Sequence, residues 1–150
     1  KSLDRLISFT VRDIMFVGSK SYLLRMKSKI INEIFKFLEI AEINCTVETA
    51  DDPFFIGKFN KKLYQKSLEL KYEILAEIPF LKKKIAIGSI NNHLDTFGKA
   101  FNIKHKNSFI NSSCFGIGYE RLLLTLYSQH GHDTLKWPKK LRKILLHEEK

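Results

Sequence analysis

Apolar residues recur along this chain at two spacings, and each spacing predicts a different element. Residues 6–17, LISFTVRDIMFV, combine β-branched and aromatic side chains and meet no breaker until Gly18 and Ser19, so a strand is expected there. From Lys20 to about Ile40, the residues Leu23, Ile30, Ile31, Ile34, Phe35 and Leu38 fall three or four apart with lysines and glutamates between them. That is the stripe of a long amphipathic helix. NCTVETA then alternates like a half-buried strand. In SLELKYEILAEI, Leu68, Leu70, Tyr72, Ile74 and Ala76 share one face, opposite Glu69, Lys71, Glu73 and Leu75, which predicts another strand.

Between these last two segments, Pro53 and Gly57 interrupt DDPFFIGKFN and predict a turn-rich connection. KKKIAIGSI reads as a short strand. The polar stretch NNHLDTFGKAFNIKHKNS, with Gly98 inside it, reads as a loop or irregular turn. FINSSCFGIG reads as a strand, YERLLLTLYSQHG as a helix stopped by Gly131, and the tail after Pro138 as one short helix. Several strands and helices that do not alternate strictly predict a single α+β domain with a mainly antiparallel sheet flanked by helices.

Composition narrows this picture. With 150 residues and 44% apolar content, the chain is long enough to bury a core. No apolar run reaches the length of a membrane span, and the start lacks a signal-peptide layout, so a cytoplasmic protein is expected. The beginning, KSLDRLISFT, reads as a segment cut from something longer. Two cysteines, Cys45 and Cys114, are too few for a disulfide framework, and Cys45 reads as a small buried hydrophobe. The net charge of +10 comes mostly from lysine, with five arginines, and favours anionic partners without choosing among them. A biased Lys-, Ile- and Phe-rich usage with a solvated surface accounts equally well for most of the lysines.

The chemistry concentrates in residues 112–131, SSCFGIGYERLLLTLYSQHG. Gly116 and Gly118 alternate on a strand, so both leave the same face bare, and a flat ligand could lie against it. Arg121, at the following helix start, carries a guanidinium suited to a phosphate or to stacking on a base. A dinucleotide fold is disfavoured, because the third glycine of its fingerprint is missing and no acid-tipped second strand follows.

This Gly-x-Gly strand running into a helix that starts with an acid and an arginine resembles motif 3 of class II aminoacyl-tRNA synthetases. The wider stretch is similar to the seryl-tRNA-synthetase-like amino acid:[carrier protein] ligases, relatives of the archaeal-type seryl enzyme. Four further blocks in the same order carry the likeness: LDRLISFTVRDIMFVG resembles the second half of motif 2, followed by VETADDPFFIG, LKYEIL and SINNHLDTFGKAFNI. The resemblance implies a class II catalytic-domain fold, truncated at its N-terminus, with motif 2 at about 1–18 and motif 3 at about 109–131.

It also implies roles. Phe9 matches the aromatic that stacks on adenine, with Arg121 covering the other side of the base and touching the γ-phosphate. Arg12 matches a basic position near the phosphates, and Arg5, in the preceding loop, touches phosphate or carrier. Gly116 and Gly118 complete the ATP site, and Asn91, Asn92, His93 and Asp95 border the reaction centre, where they bind the amino acid or ATP. Relatives hold zinc (Zn2+) with two cysteines and a glutamate; Glu73 and Cys114 match two of these ligands, with the first cysteine and the first motif 2 arginine expected upstream of Lys1. Thiolate and carboxylate both suit zinc. Asp13 stands where relatives usually have Glu. His105, His130, His132 and His147 lack metal spacing, and HGHDTLKWP reads as helix-end packing.

The implied activity is formation of an aminoacyl-adenylate from ATP, with magnesium (Mg2+) on its phosphates, and a small amino acid, followed by transfer to the phosphopantetheine thiol of an acidic carrier protein. A homodimer is expected for the full-length protein. Two alternatives stand beside it: a seryl-tRNA synthetase fragment with tRNA as acceptor, and a synthetase-like binding module without catalysis.

Overall fold

The computed structural model describes residues 5–50 and 71–145. The strands are β1 (Val11–Gly18), β2 (Cys45–Thr49), β3 (Lys71–Ile78), β4 (Lys83–Leu94), β5 (Lys104–His105), β6 (Ser108–Phe109) and β7 (Asn111–Gly118). The helices are α1 (Lys20–Ile40), α2 (Thr96–Ala100), α3 (Tyr119–His130) and α4 (Lys139–Leu145). Five strands form one sheet in the order β1-β7-β4-β3-β2, and every neighbouring pair is antiparallel. The expected α+β class is therefore the observed one.

The sheet has two unlike faces because its strands alternate. One face presents Ile74, Ala76, Ile78, Ile85, Ile87, Ile90 and Phe115 to Leu38 and Ala41 at the end of α1, Leu126 of α3, Trp137 and Leu141 of α4. Removing such side chains from water drives the assembly, at about 1.5–3 kcal/mol for each large one fully buried. Ser19 caps α1 by accepting from Tyr22 N at 3.3 Å. At the other end of the molecule, Trp137 Nε1 donates to Gly131 O at 2.9 Å while its ring meets Tyr127 edge-on at 5.4 Å, so HGHDTLKWP is helix-end packing as expected.

Four expectations change. The first strand begins at Val11 rather than residue 6, because both backbone groups of Thr10 bond to the first turn of α3 instead of to the sheet. Phe35 is not part of the buried stripe of α1; it is 48% exposed, whereas Leu23 and Leu38 are buried. Residues 91–108 are not a loop: β4 continues to Leu94 by pairing with β7, α2 follows, and β5 and β6 form a hairpin. Lys106 and Asn107 both have positive φ, as a two-residue hairpin turn of this hand requires. Gly98 serves α2 by close approach, since a Cβ there would lie 2.5 Å from Ile110 O. Cys45 is half-buried against the core, and that burial pushes its thiol pKa up. The turn-rich segment after Asp51, Leu68 and Leu70 lie outside the described residues.

Candidate functional site: a groove on the open face of the sheet

Strand register decides what shares the face opposite the core. Asp13 pairs with Gly116, Gly116 with Ser89, Ser89 with Glu73 and Glu73 with Glu48, a row crossing all five strands. The next row is Met15, Cys114, Asn91 and Lys71. Together with Phe9, Val11, Gly118 and Arg121 these rows supply a groove of about 370 Å³, lined among others by Phe9, Asp13, Glu73, Asn91, Cys114, Gly116, Gly118 and Arg121. A recess of about 270 Å³ adjoins it and shares Phe9, Gly118 and Arg121.

Gly116 and Gly118 differ in what lies over them. A Cβ at Gly116 would collide with Asp13 Oδ1, so the Asp13 carboxylate covers that position. At Gly118 the nearest atom to such a Cβ is Ile87 O at 3.9 Å, and the space is open. The bare shelf expected across both glycines is thus confined to Gly118, between Phe9 and Arg121. Arg121 Nη1 donates to Ala86 O at 2.9 Å, which fixes the guanidinium at the groove edge; β4 changes register beside this point, between the positions facing Ile74 and Leu75.

At the other end of the groove, Cys114 Sγ lies 3.5 Å from His93 Nε2 and 3.6 Å from Asn91 Nδ2. His93 is buried; its Nδ1 is 3.1 Å from Ser112 Oγ and its ring packs against Phe97 at 4.6 Å. His93 thus stands behind Cys114 rather than in the groove lining. Asn91 Nδ2 also reaches Ser89 Oγ at 3.2 Å, whereas Asn91 Oδ1 is buried with no hydrogen-bond partner among the described residues. Glu73 forms an ion pair with Lys71 at 3.0 Å.

Three expected site residues lie elsewhere. Arg12 pairs with Ile117 and, by alternation, points to the face opposite Asp13 and Gly116, so its expected approach to phosphates in this groove is not met. Asn92 lines a separate recess with Leu23, Leu24 and Lys27 of α1. Asp95 precedes α2 and pairs with Lys99 at 3.0 Å.

Asp13 was given no firm role by sequence reasoning, yet it is in the groove. It is a diagonal neighbour of Cys114 on the adjacent strand, a relation that puts residues about 7–8 Å apart. Glu73 is two strands from Cys114 and one row away along the strands, about 12 Å between backbones, and its carboxylate is engaged by Lys71. The place of Asp13 over Gly116 follows from the β1–β7 register, which no local sequence signal carries. Among the described residues no three His, Cys, Asp or Glu side chains cluster as metal ligands. A tetrahedral zinc shell therefore does not fit these residues alone.

The sequence of the chain is similar to those of known proteins. No protein-family model matches the chain. It is 30% identical over 148 residues to amino acid–[acyl-carrier-protein] ligase 1 of Bradyrhizobium diazoefficiens and 29% identical over 148 residues to ligase 2 of that organism. It is 27% identical over 151 residues to the type-2 serine–tRNA ligase of Methanococcus maripaludis. The chain is a homologue of both groups. These matches cover 95–97% of the chain but 44–45% of the two carrier-protein ligases and 29% of the serine–tRNA ligase.

Its fold is that of part of a class II seryl-tRNA synthetase. The Methanopyrus kandleri enzyme, solved with Aquifex aeolicus tRNASec, superposes with a TM-score of 0.80 at 24% identity, covering 96% of this chain and 30% of that one. The Pyrococcus horikoshii enzyme, solved with ATP, gives 0.67 at 16% identity, covering 95% and 32%. Among the described residues no helix is long and apolar enough to cross a membrane.

Proposed function

We propose that residues 1–150 form part of a class II catalytic domain whose full-length protein activates a small amino acid with ATP and passes the aminoacyl group to the phosphopantetheine thiol of a carrier protein. The observation that supports this reading is the convergence of Phe9, Gly118 and Arg121 at one end of a groove whose other end holds Asn91 and Cys114. Homology to ligases that act on carrier proteins and to serine–tRNA ligases supports the same chemistry.

In this reading adenine lies on Gly118 between Phe9 and the Arg121 guanidinium, and the triphosphate enters as its magnesium complex. An oxygen of the amino-acid carboxylate attacks the α-phosphorus, the bond to the bridging oxygen breaks, and pyrophosphate leaves. The thiol then attacks the aminoacyl carbonyl and AMP leaves. The chain's contribution is positioning and charge stabilisation rather than covalent catalysis. The unpartnered Asn91 Oδ1 offers an acceptor beside Cys114, suited to the substrate's ammonium group.

The carrier-protein ligases stand at 29–30% identity and the serine–tRNA ligases at 26–27%, so tRNA is the second reading for the acceptor. An excess of +10 charges suits either an acidic carrier or a nucleic acid. The test is amino-acid-dependent ATP–pyrophosphate exchange by the full-length protein over a panel of amino acids, then transfer to a phosphopantetheinylated carrier or to tRNA. Exchange with a small amino acid and labelling of the carrier are expected. No exchange with any amino acid rejects adenylation and leaves a binding module.

A further inference from the structure

Residue 120, between the glycines' strand and Arg121, is left without a role by the reading above. Both Glu120 oxygens accept from the Thr10 backbone N–H, at 2.9 and 2.8 Å. The neighbouring Tyr119 N–H donates to Thr10 O at 3.0 Å. One residue of the segment leading into β1 is therefore held at both of its backbone groups by the first turn of α3. Phe9, the next residue back, is 61% exposed, so packing alone cannot hold it in place. The same recess is lined by Phe9, Gly118, Glu120 and Arg121.

We propose that Glu120 is a positioning residue that ties the Phe9–Thr10 segment to α3 and thereby sets the gap between Phe9 and Arg121 in which a nucleotide base is gripped. This rests on the adenylation reading and adds to it the part that shapes the nucleotide end of the groove. Thr10 has left the sheet, and the hydrogen bonds that would have continued β1 toward residue 6 are replaced by the clamp. Because Arg121 is adjacent on the same helical turn, one turn fixes both sides of the cleft: Arg121 directly through Ala86 O, Phe9 indirectly through Glu120 and Thr10. A carboxylate suits the task, since it accepts at two oxygens and sits at the positive end of the helix. Its tie to the Thr10 N–H holds the Glu120 carboxyl below the usual carboxylate range, as a group bonded in its charged form should be.

The competing explanation is that Glu120 only stabilises the start of α3. Exchange kinetics and amide hydrogen exchange on the full-length protein separate the two. Glu120→Ala is expected to raise the KM for ATP about tenfold, the loss of one charge-assisted hydrogen bond, and to leave the amino-acid KM within about twofold. Glu120→Gln, which keeps one acceptor oxygen, should recover most of the ATP affinity. The Thr10 amide should exchange faster in Glu120→Ala while β7 and α3 keep their protection. An unchanged KM for ATP, or both KM values rising together with a lower melting temperature, overturns the proposal. Wild-type protein that exchanges pyrophosphate but protects Thr10 independently of Glu120 sinks the positioning role alone. Wild-type protein without exchange activity, but with Glu120-dependent Thr10 protection and ATP affinity, sinks adenylation and leaves the positioning role standing.

Discussion

The two faces of the five-stranded sheet are built from alternate residues of the same strands, and they obey different rules. On β7, Phe115 is 9% exposed among isoleucines and helices, while Cys114 and Gly118, one and three residues away, line the groove. On β3, Ile74 is 2% exposed and Glu73 beside it faces the groove. The covered face is apolar and tightly filled, so any loss of volume there is felt by the whole domain. The groove face carries carboxylates, an amide, a thiol and a glycine with space above it, groups that contribute little to the core. Stability and binding can therefore be altered separately, by substitutions only a few residues apart on one strand.

Phe115→Ala, in the full-length protein, should give the largest effect, a loss of about 3–5 kcal/mol in denaturant unfolding with no specific change in ligand affinity beyond the unfolded fraction. Gly118→Ala should do the reverse. Its new methyl meets nothing nearer than 3.9 Å in the fold, so stability should change by less than about 0.5 kcal/mol, while ATP binding by calorimetry weakens about tenfold. A Gly118→Ala protein that unfolds early but binds ATP normally would erase the contrast between the faces. The smallest effect is expected at Phe35, exposed on α1: Phe35→Lys should shift the unfolding free energy by no more than about 0.5 kcal/mol. A loss above 2 kcal/mol would restore Phe35 to the buried stripe.

Periodicity made the covered face legible. The alternation of Tyr72, Ile74 and Ala76, and the helical spacing of Leu23 and Leu38, express burial, which repeats along an element. The glycines and Arg121 stood out by themselves, as two bare positions on one strand face before a guanidinium at a helix start, whereas Cys114, Asn91 and Phe9 were singled out by the resemblance of whole blocks to known ligases. What was not legible depends on pairing between distant strands. Nothing near Asp13 in sequence reveals that it sits over Gly116, and nothing near Arg12 reveals that it turns the other way; both follow from the β1–β7 register. Residues 91–108 misled because polarity was read as a loop. Asn91 and Asn92 are polar and still extended, since they continue the ladder to β7 on the edge of a groove. Tertiary pairing overrode local composition there.

The decisive measurement is a crystal structure of the full-length protein with a non-hydrolysable ATP analogue. The base should lie on Gly118 between the Phe9 ring and the Arg121 guanidinium, with Arg12 on the far side of the sheet and making no contact. A nucleotide bound away from Gly118, or held by Arg12, would contradict the assignment of this groove.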